Sequence, residues 1–303
     1  MTDNSSSRKS MIVTAWVFFL LASSLPTIFM QEILDQTVPE NLHALMAVSI
    51  ILPGIALTFV WKTIRPLRMF FLLFLILVIA EWFIHSKVSQ LPIYHAWLNN
   101  PSFSVYMLAE QSLRLIVTLI VIAALFLIHK HAGAFFLVKG DTSASVEPVK
   151  WLRIKEGEHW NKLGPMFAVF ISLGTLAFLI IAGRPPLDIL TRVLPFLPAI
   201  LIAAALNAFN EEMAYKASFL SVLEGSVGRH HALWLMAAYF GLGHYYGVPY
   251  GIIGVIMATF LGWFLGKSML ETRGLWWAWF IHFWQDVCIF LFLAMGSITP
   301  GGG

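Results

Sequence analysis

The chain has 303 residues, 59% of them hydrophobic and only 12% charged, and its mean hydropathy is +0.79. These values exclude an ordinary soluble domain and imply an integral membrane protein: one polytopic transmembrane helical bundle, all-α, spanning residues 1–303. The net charge of +3 does not call for nucleic acid, because basic residues between apolar runs follow from the positive-inside rule, and Cys288, the single cysteine, excludes an intrachain disulfide or a cysteine metal cluster.

A helix needs about 20 apolar residues to cross the hydrocarbon, and such runs recur along the chain. The first, Met11 to Met30, follows Arg8 and Lys9 and is too long for a signal sequence, so a retained helix is expected. Further spans are predicted over His43 to Trp61, Met69 to Ile84 and Ser104 to Ile128, giving a four-helix amino-terminal part over 1–128. Residues 129–164 hold the longest polar stretch, with turn formers at Gly140 and Asp141 and then Trp151 and Trp160. That pattern fits a cytoplasmic loop with an interfacial helix. The core over 165–303 follows, with spans at Pro165 to Ala182, Leu194 to Leu220, His231 to His244, Ile252 to Leu265 and Leu275 to Ala294, for a total of eight or nine.

With the amino terminus in the cytoplasm, most Lys and Arg outside the spans fall on the inside, and only Lys87, Arg184 and Arg192 fall outside. An odd span count then places the "GSITPGGG" tail outside.

An ionisable side chain at mid-bilayer costs on the order of 2.5 to 3.5 kcal/mol on insertion scales, so each one within a span needs a reason. Most have an ordinary one. His43, His85, His95, His129, His131, His159, His230 and His231 fall at span ends or in loops, Glu110 and Arg114 are four apart and can pair along one helix face, and Glu81 is near a span end. Three clusters resist that treatment: Glu211, Glu212 and Lys216; "FGLGH", Phe240 to His244; and "HFWQD", His282 to Asp286. Helical spacing pairs Glu212 with Lys216 and His282 with Asp286, while Glu211 points about 100° away from Glu212 and aligns with Asn207. Measured from the predicted cytoplasmic ends at about 1.5 Å per residue, Glu211 lies roughly 18 Å deep, His244 roughly 21 Å, and His282 and Asp286 roughly 12 to 18 Å. Three helices thus deliver polar groups to one level. The glycines around His244 and "GVPYG" beyond it predict a broken or re-entrant turn.

A carboxylate, two imidazoles and an Asp at mid-membrane suit the activation of water, with Glu as general base and His and Asp as orienters, oxyanion stabilisers or metal ligands. Proton-coupled transporters gather the same residue types, so spacing alone leaves that alternative open. The motifs of zincins, serine hydrolases and thiol enzymes are lacking.

"EEMAYK", "FGLGH" and "HFWQD", in that order, resemble the EExxxR, FxxxH and HxxxN/D series of the CPBP family of intramembrane proteases, which comprises CAAX prenyl proteases and bacteriocin-processing or abortive-infection proteins. "ETRG", Glu271 to Gly274, is similar to bacterial members. The resemblance covers Asn207 to Asp286; the amino-terminal half agrees only in being hydrophobic. It implies an intramembrane endopeptidase that hydrolyses a peptide bond of a membrane-associated protein or peptide through a glutamate-activated water, with 165–303 as the catalytic core and a bacterial cytoplasmic (inner) membrane as its location. By position, Glu211 is the implied base, Glu212 its support, His244 the residue that helps hold the water, and His282 and Asp286 those that stabilise the oxyanion or complete the site. The family has been described both as metalloproteases and as glutamate-type enzymes, so the implied cofactor is either none or Zn²⁺, with Glu211, His244 and His282 as candidate ligands. The implied partners are the membrane-associated substrate and the lipid bilayer, with no nucleic acid. A non-proteolytic membrane partner or immunity protein of the same family is the alternative. Two positions depart from the pattern: Lys216 stands in place of Arg, without the bidentate fork, and Asp286 stands where the eukaryotic enzymes have Asn.

Overall fold

The computed structural model describes residues 2–39, 41–100, 102–185 and 189–298. Among them the chain is a polytopic helical bundle without strands; only two isolated bridges occur, Ser145 with His159 and Val149 with Ile154. Seven helical stretches are long and apolar enough to cross a membrane: Leu42–Val60, Lys62–Gln90, Phe103–His129, Trp160–Gly183, Thr191–Val227, Ile252–Thr272 and Trp276–Ser297. A bent pair, α1 (Thr2–Leu21) and α2 (Leu25–Glu32), which meet at 46°, makes an eighth if the two helices form one span. The bend lies where the apolar run is interrupted by small residues. Ser23 Oγ donates to the Leu20 carbonyl at 2.7 Å and accepts from the Leu25 amide at 3.2 Å, while Pro26 begins the next helix without needing a donor.

The bundle continues with α3 (Leu42–Val60), α4 (Arg68–Ser86), the short α5 (Pro92–Leu98), α6 (Phe103–His129), α7 (Trp160–Gly183), the short α8 (Ile189–Val193), α9 (Leu197–Glu211), a π-helical segment (Glu212–Ala217), α10 (Ser218–Val227), α11 (Arg229–Leu242), α12 (Ile252–Thr272) and α13 (Trp276–Ile298). The predicted span from His231 to His244 is corrected by this arrangement. Residues 231–244 contribute to α11, whose 14 residues extend only about 21 Å, short of the hydrocarbon thickness of about 30 Å. Hydropathy alone cannot separate such a half-crossing from a full one. The chain then turns through 243–251, as the glycines and proline there predict, and re-enters as α12. Gly254 lets this turn fold back onto α12, since a Cβ there would lie 2.1 Å from the Pro249 carbonyl oxygen. The carboxy-terminal tail from Thr299 onward, whose side of the membrane rested on span parity, lies outside the described residues.

Behind the polar clusters sits an aromatic core. Phe19 of α1 stacks on Tyr239 of α11 at 4.9 Å between centroids and meets Phe74 of α4 and Phe219 of α10 edge-on at 5.1 and 4.7 Å. Tyr215 of the π segment donates to Glu81 of α4, which also lies 3.4 Å from His85. The amino-terminal helices thereby brace the segment that carries the doubled glutamate.

The stretch between α6 and α7 holds two short 3₁₀ turns and is tied to the α12–α13 connection. The Asp141 amide donates to the Thr272 carbonyl, and the Leu275 amide to the Val138 carbonyl, each at 2.8 Å. Ion pairs gather at this end: Arg229 to Glu147 at 2.8 Å, Arg273 to both oxygens of Glu224 at 2.6 and 2.8 Å, and Lys267 to Glu271.

Candidate active site

The doubled glutamate falls where α9 becomes π-helical. A π segment winds one residue more per hydrogen-bonded turn than an α-helix, and such insertions concentrate at functional positions. Glu211 is the last residue of α9 and Glu212 the first of the π segment. Lys216 reaches back to Glu212, with Nζ donating to Oε1 at 2.7 Å, and both side chains are 0% exposed. The Lys216 ammonium also lies 3.5 Å from the centre of the Phe240 ring. The expected neutralisation of Glu212 by Lys216 is therefore present in full burial.

The structure brings four of the five candidate residues into direct contact. His282 of α13 directs Nδ1 to Glu212 Oε1 at 2.7 Å, so that this oxygen accepts from both His282 and Lys216. The opposite ring nitrogen, Nε2, lies 3.6 Å from Glu211 Oε2 and 3.5 Å from Asp286 Oδ1. Spacing on an ideal helix separates the two glutamates; in the structure they converge on opposite edges of one imidazole. Asp286 is held in turn by Asn207, whose Nδ2 donates to Oδ2 at 3.0 Å. Glu211, Glu212, His282, Asp286 and Asn207 are all buried, as a site shielded from lipid requires.

His244, the fifth candidate, stands one residue past the cap of α11. Its Nδ1 lies 2.7 Å from the Phe240 carbonyl, and because a carbonyl oxygen can only accept, Nδ1 carries a proton and Nε2 is the ring atom left for other partners. His244 lines the same cavity as Glu211, His282 and Asp286, a space of about 1090 Å³. Phe167, Phe170 and Phe178 of α7 supply an aromatic wall, and Glu110, Gln111 and Arg114 of α6 a polar one. Glu211 Oε2 is buried and makes no hydrogen bond, its contact with His282 Nε2 being the 3.6 Å ion pair.

Arg114 escaped the reading by sequence. Its Nε does donate to Glu110 Oε1 at 3.0 Å, the expected pairing along one helix face, but its Nη1 also lies 3.7 Å from Glu211 Oε1. Periodicity within α6 shows the first contact and carries no signal for the second, which crosses to α9. The Asn207–Asp286 bond was missed for the same reason.

Residues 193–288 match the family model described as "Type II CAAX prenyl endopeptidase Rce1-like". That segment is Rce1-like. It agrees with the family reading of the three motifs, and the seven apolar helices agree with a membrane protein. The Rce1-like segment contains Glu211, Glu212, Lys216, His244, His282 and Asp286, whereas Glu110 and Arg114 lie outside it. No curated protein and no solved structure matches the chain.

The candidate Zn²⁺ ligands are Glu211, His244 and His282. Among the described residues no group of three or more His, Cys, Asp or Glu side chains is arranged to hold a metal ion. His282 directs Nδ1 to Glu212 and His244 directs Nδ1 to the Phe240 carbonyl, which leaves the Nε2 atom of each ring for another partner.

Proposed function

We propose that the protein is an intramembrane endopeptidase in which Glu211 activates the hydrolytic water against a peptide bond of a membrane-associated substrate. The observation that carries this reading is the convergence of Glu211 and Asp286 on His282 Nε2, at 3.6 and 3.5 Å, in the wall of a cavity that His244 also lines. Glu211 Oε2 removes a proton from the water as its oxygen attacks the scissile carbonyl carbon. The C–N bond then breaks as Glu211 returns that proton to the leaving nitrogen, giving a carboxylic acid and an amine. His244 Nε2 holds the water in its neutral form and donates to the developing oxyanion when protonated. His282, fixed through Nδ1 by Glu212, orients Glu211 and Asp286 with its other nitrogen. Asp286 accepts from Asn207, which favours an orienting role over donation to an oxyanion.

The basic residues of the connections support an orientation with the amino terminus in the cytoplasm, in a bacterial inner membrane. The test is cleavage of membrane-tethered reporter peptides by purified protein in lipid nanodiscs, comparing wild type with Glu211→Gln, His244→Ala and His282→Ala. Cleavage by wild type that falls at least about a hundredfold in each variant is expected. Undiminished turnover in Glu211→Gln overturns the role of Glu211.

A further inference from the structure

Seven ionisable side chains surround or include the contact partners of Glu211: Glu110 and Arg114 on α6, Glu212 and Lys216 in the adjoining π segment, His244 beyond α11, and His282 and Asp286 on α13. Four carboxylates, Glu211 included, therefore face two permanent cations. One of the two is already engaged, since Lys216 is bonded to Glu212 at 2.7 Å with neither side chain exposed. Among the described residues lining the cavity, Arg114 is the remaining Lys or Arg. Its Nη1 stands 3.7 Å from Glu211 Oε1, the oxygen that does not face His282, and its Nε bond to Glu110 at 3.0 Å fixes the plane of the guanidinium.

We propose that Arg114 is a positioning residue that, braced by Glu110, holds Glu211 by Oε1. The proposal rests on reading Glu211 as the base. It adds a residue from α6, outside the Rce1-like segment, to the site's working parts. A guanidinium whose charge is already shared by Glu110 and Glu211 is poorly placed to act chiefly as a receptor for an anionic group on the substrate. An arginine that fixes one carboxylate oxygen leaves the other as the base.

The experiment has two arms on the full-length protein in nanodiscs: steady-state cleavage of one reporter peptide, and thermal melts of Arg114→Gln, Glu211→Gln and the double variant. In Arg114→Gln and in Arg114→Met, two neutral replacements in case one does not accumulate, kcat is expected to fall by about ten- to a hundredfold while KM stays within about twofold. Arg114→Lys is expected to restore most of the loss. The shifts in melting temperature are expected to be non-additive, because the two side chains act as a pair. Additive melts overturn the proposal, as does an unchanged kcat in both neutral variants or a rise in KM alone, which would make Arg114 a clamp for a substrate anion. Should the wild-type protein cleave nothing, the proteolytic reading fails, and the melts still decide whether Arg114 holds Glu211.

Discussion

Glu212 and His282 are joined at 2.7 Å through Oε1 and Nδ1, in a position where neither is open to lipid or water. The same oxygen holds Lys216, so one carboxylate oxygen links the π segment to α13 and neutralises the ammonium. Removing a single partner leaves a buried charge uncompensated, and that costs about 3 to 5 kcal/mol in comparable buried pairs. Lys216→Met is therefore expected to lower the unfolding midpoint sharply in detergent. Combining it with Glu212→Gln should recover a substantial part of the loss, which thermal melts of the single and double variants will show.

Asn207 reaches the proposed site only through Asp286, by a bond to a charged acceptor of the kind worth about 1.5 to 3 kcal/mol. If that energy serves to aim Asp286, Asn207→Ala should reduce kcat by about ten- to a hundredfold with little change in KM. Asn207→Asp, which sets a second carboxylate against Asp286, should be worse. Steady-state cleavage of one reporter peptide distinguishes the three proteins.

Gly140 has φ +75°, and a Cβ there would lie 2.5 Å from the Thr272 carbonyl oxygen and 2.7 Å from the Gly274 backbone. Both the conformation and the space are closed to other residues. Gly140→Ala is expected to destabilise the protein by on the order of 1 to 3 kcal/mol. Gly225 gives the contrast: it is helical, nothing lies within 4 Å of its built Cβ, and Gly225→Ala should be neutral or stabilising by up to about 1 kcal/mol. Melting temperatures of the two alanine variants make the comparison.

Arg273 and Glu224 form a two-pronged pair at 2.6 and 2.8 Å, but the arginine side chain is 59% exposed. An exposed pair of this kind contributes about 1 kcal/mol or less and is screened by salt. Glu271 accepts from the Trp160 indole at 2.8 Å and from Lys267 with its side chain buried. Glu224→Gln should thus have a small effect that disappears at high salt, while Glu271→Gln should cost about 3 kcal/mol at any salt concentration. Denaturation at low and high ionic strength checks both.

Much of the site was legible from the chain because its parts repeat at helical intervals. Glu212 with Lys216 and His282 with Asp286 are neighbours on their own helices, and local spacing is enough to pair them. The convergence of Glu211 and Glu212 on one ring was not legible, because His282 belongs to α13 and a contact between helices leaves no mark in the spacing along either. Arg114 was read correctly as the partner of Glu110 and incompletely otherwise, since a contact between α6 and α9 obeys packing rather than period. In the fold, the run expected to form one helix from Met11 to Met30 is bent between α1 and α2, and α11 passed for a full span because apolar content does not reveal where a helix stops short.

The π segment has a consequence for how this protein tolerates change. A residue deleted from an α-helix rotates everything on one side of the gap by about 100°. Between Glu212 and Ala217 Lys216 keeps a four-residue separation from Glu212, while both glutamates reach His282. Along this stretch the chain's length is constrained as well as its lettering: an exchange of Ala214 for another small residue leaves the spacing whole, whereas the loss of one residue from 213 to 215 removes the extra winding and shortens the separation of Lys216 from Glu212, even though every named side chain is still in the sequence.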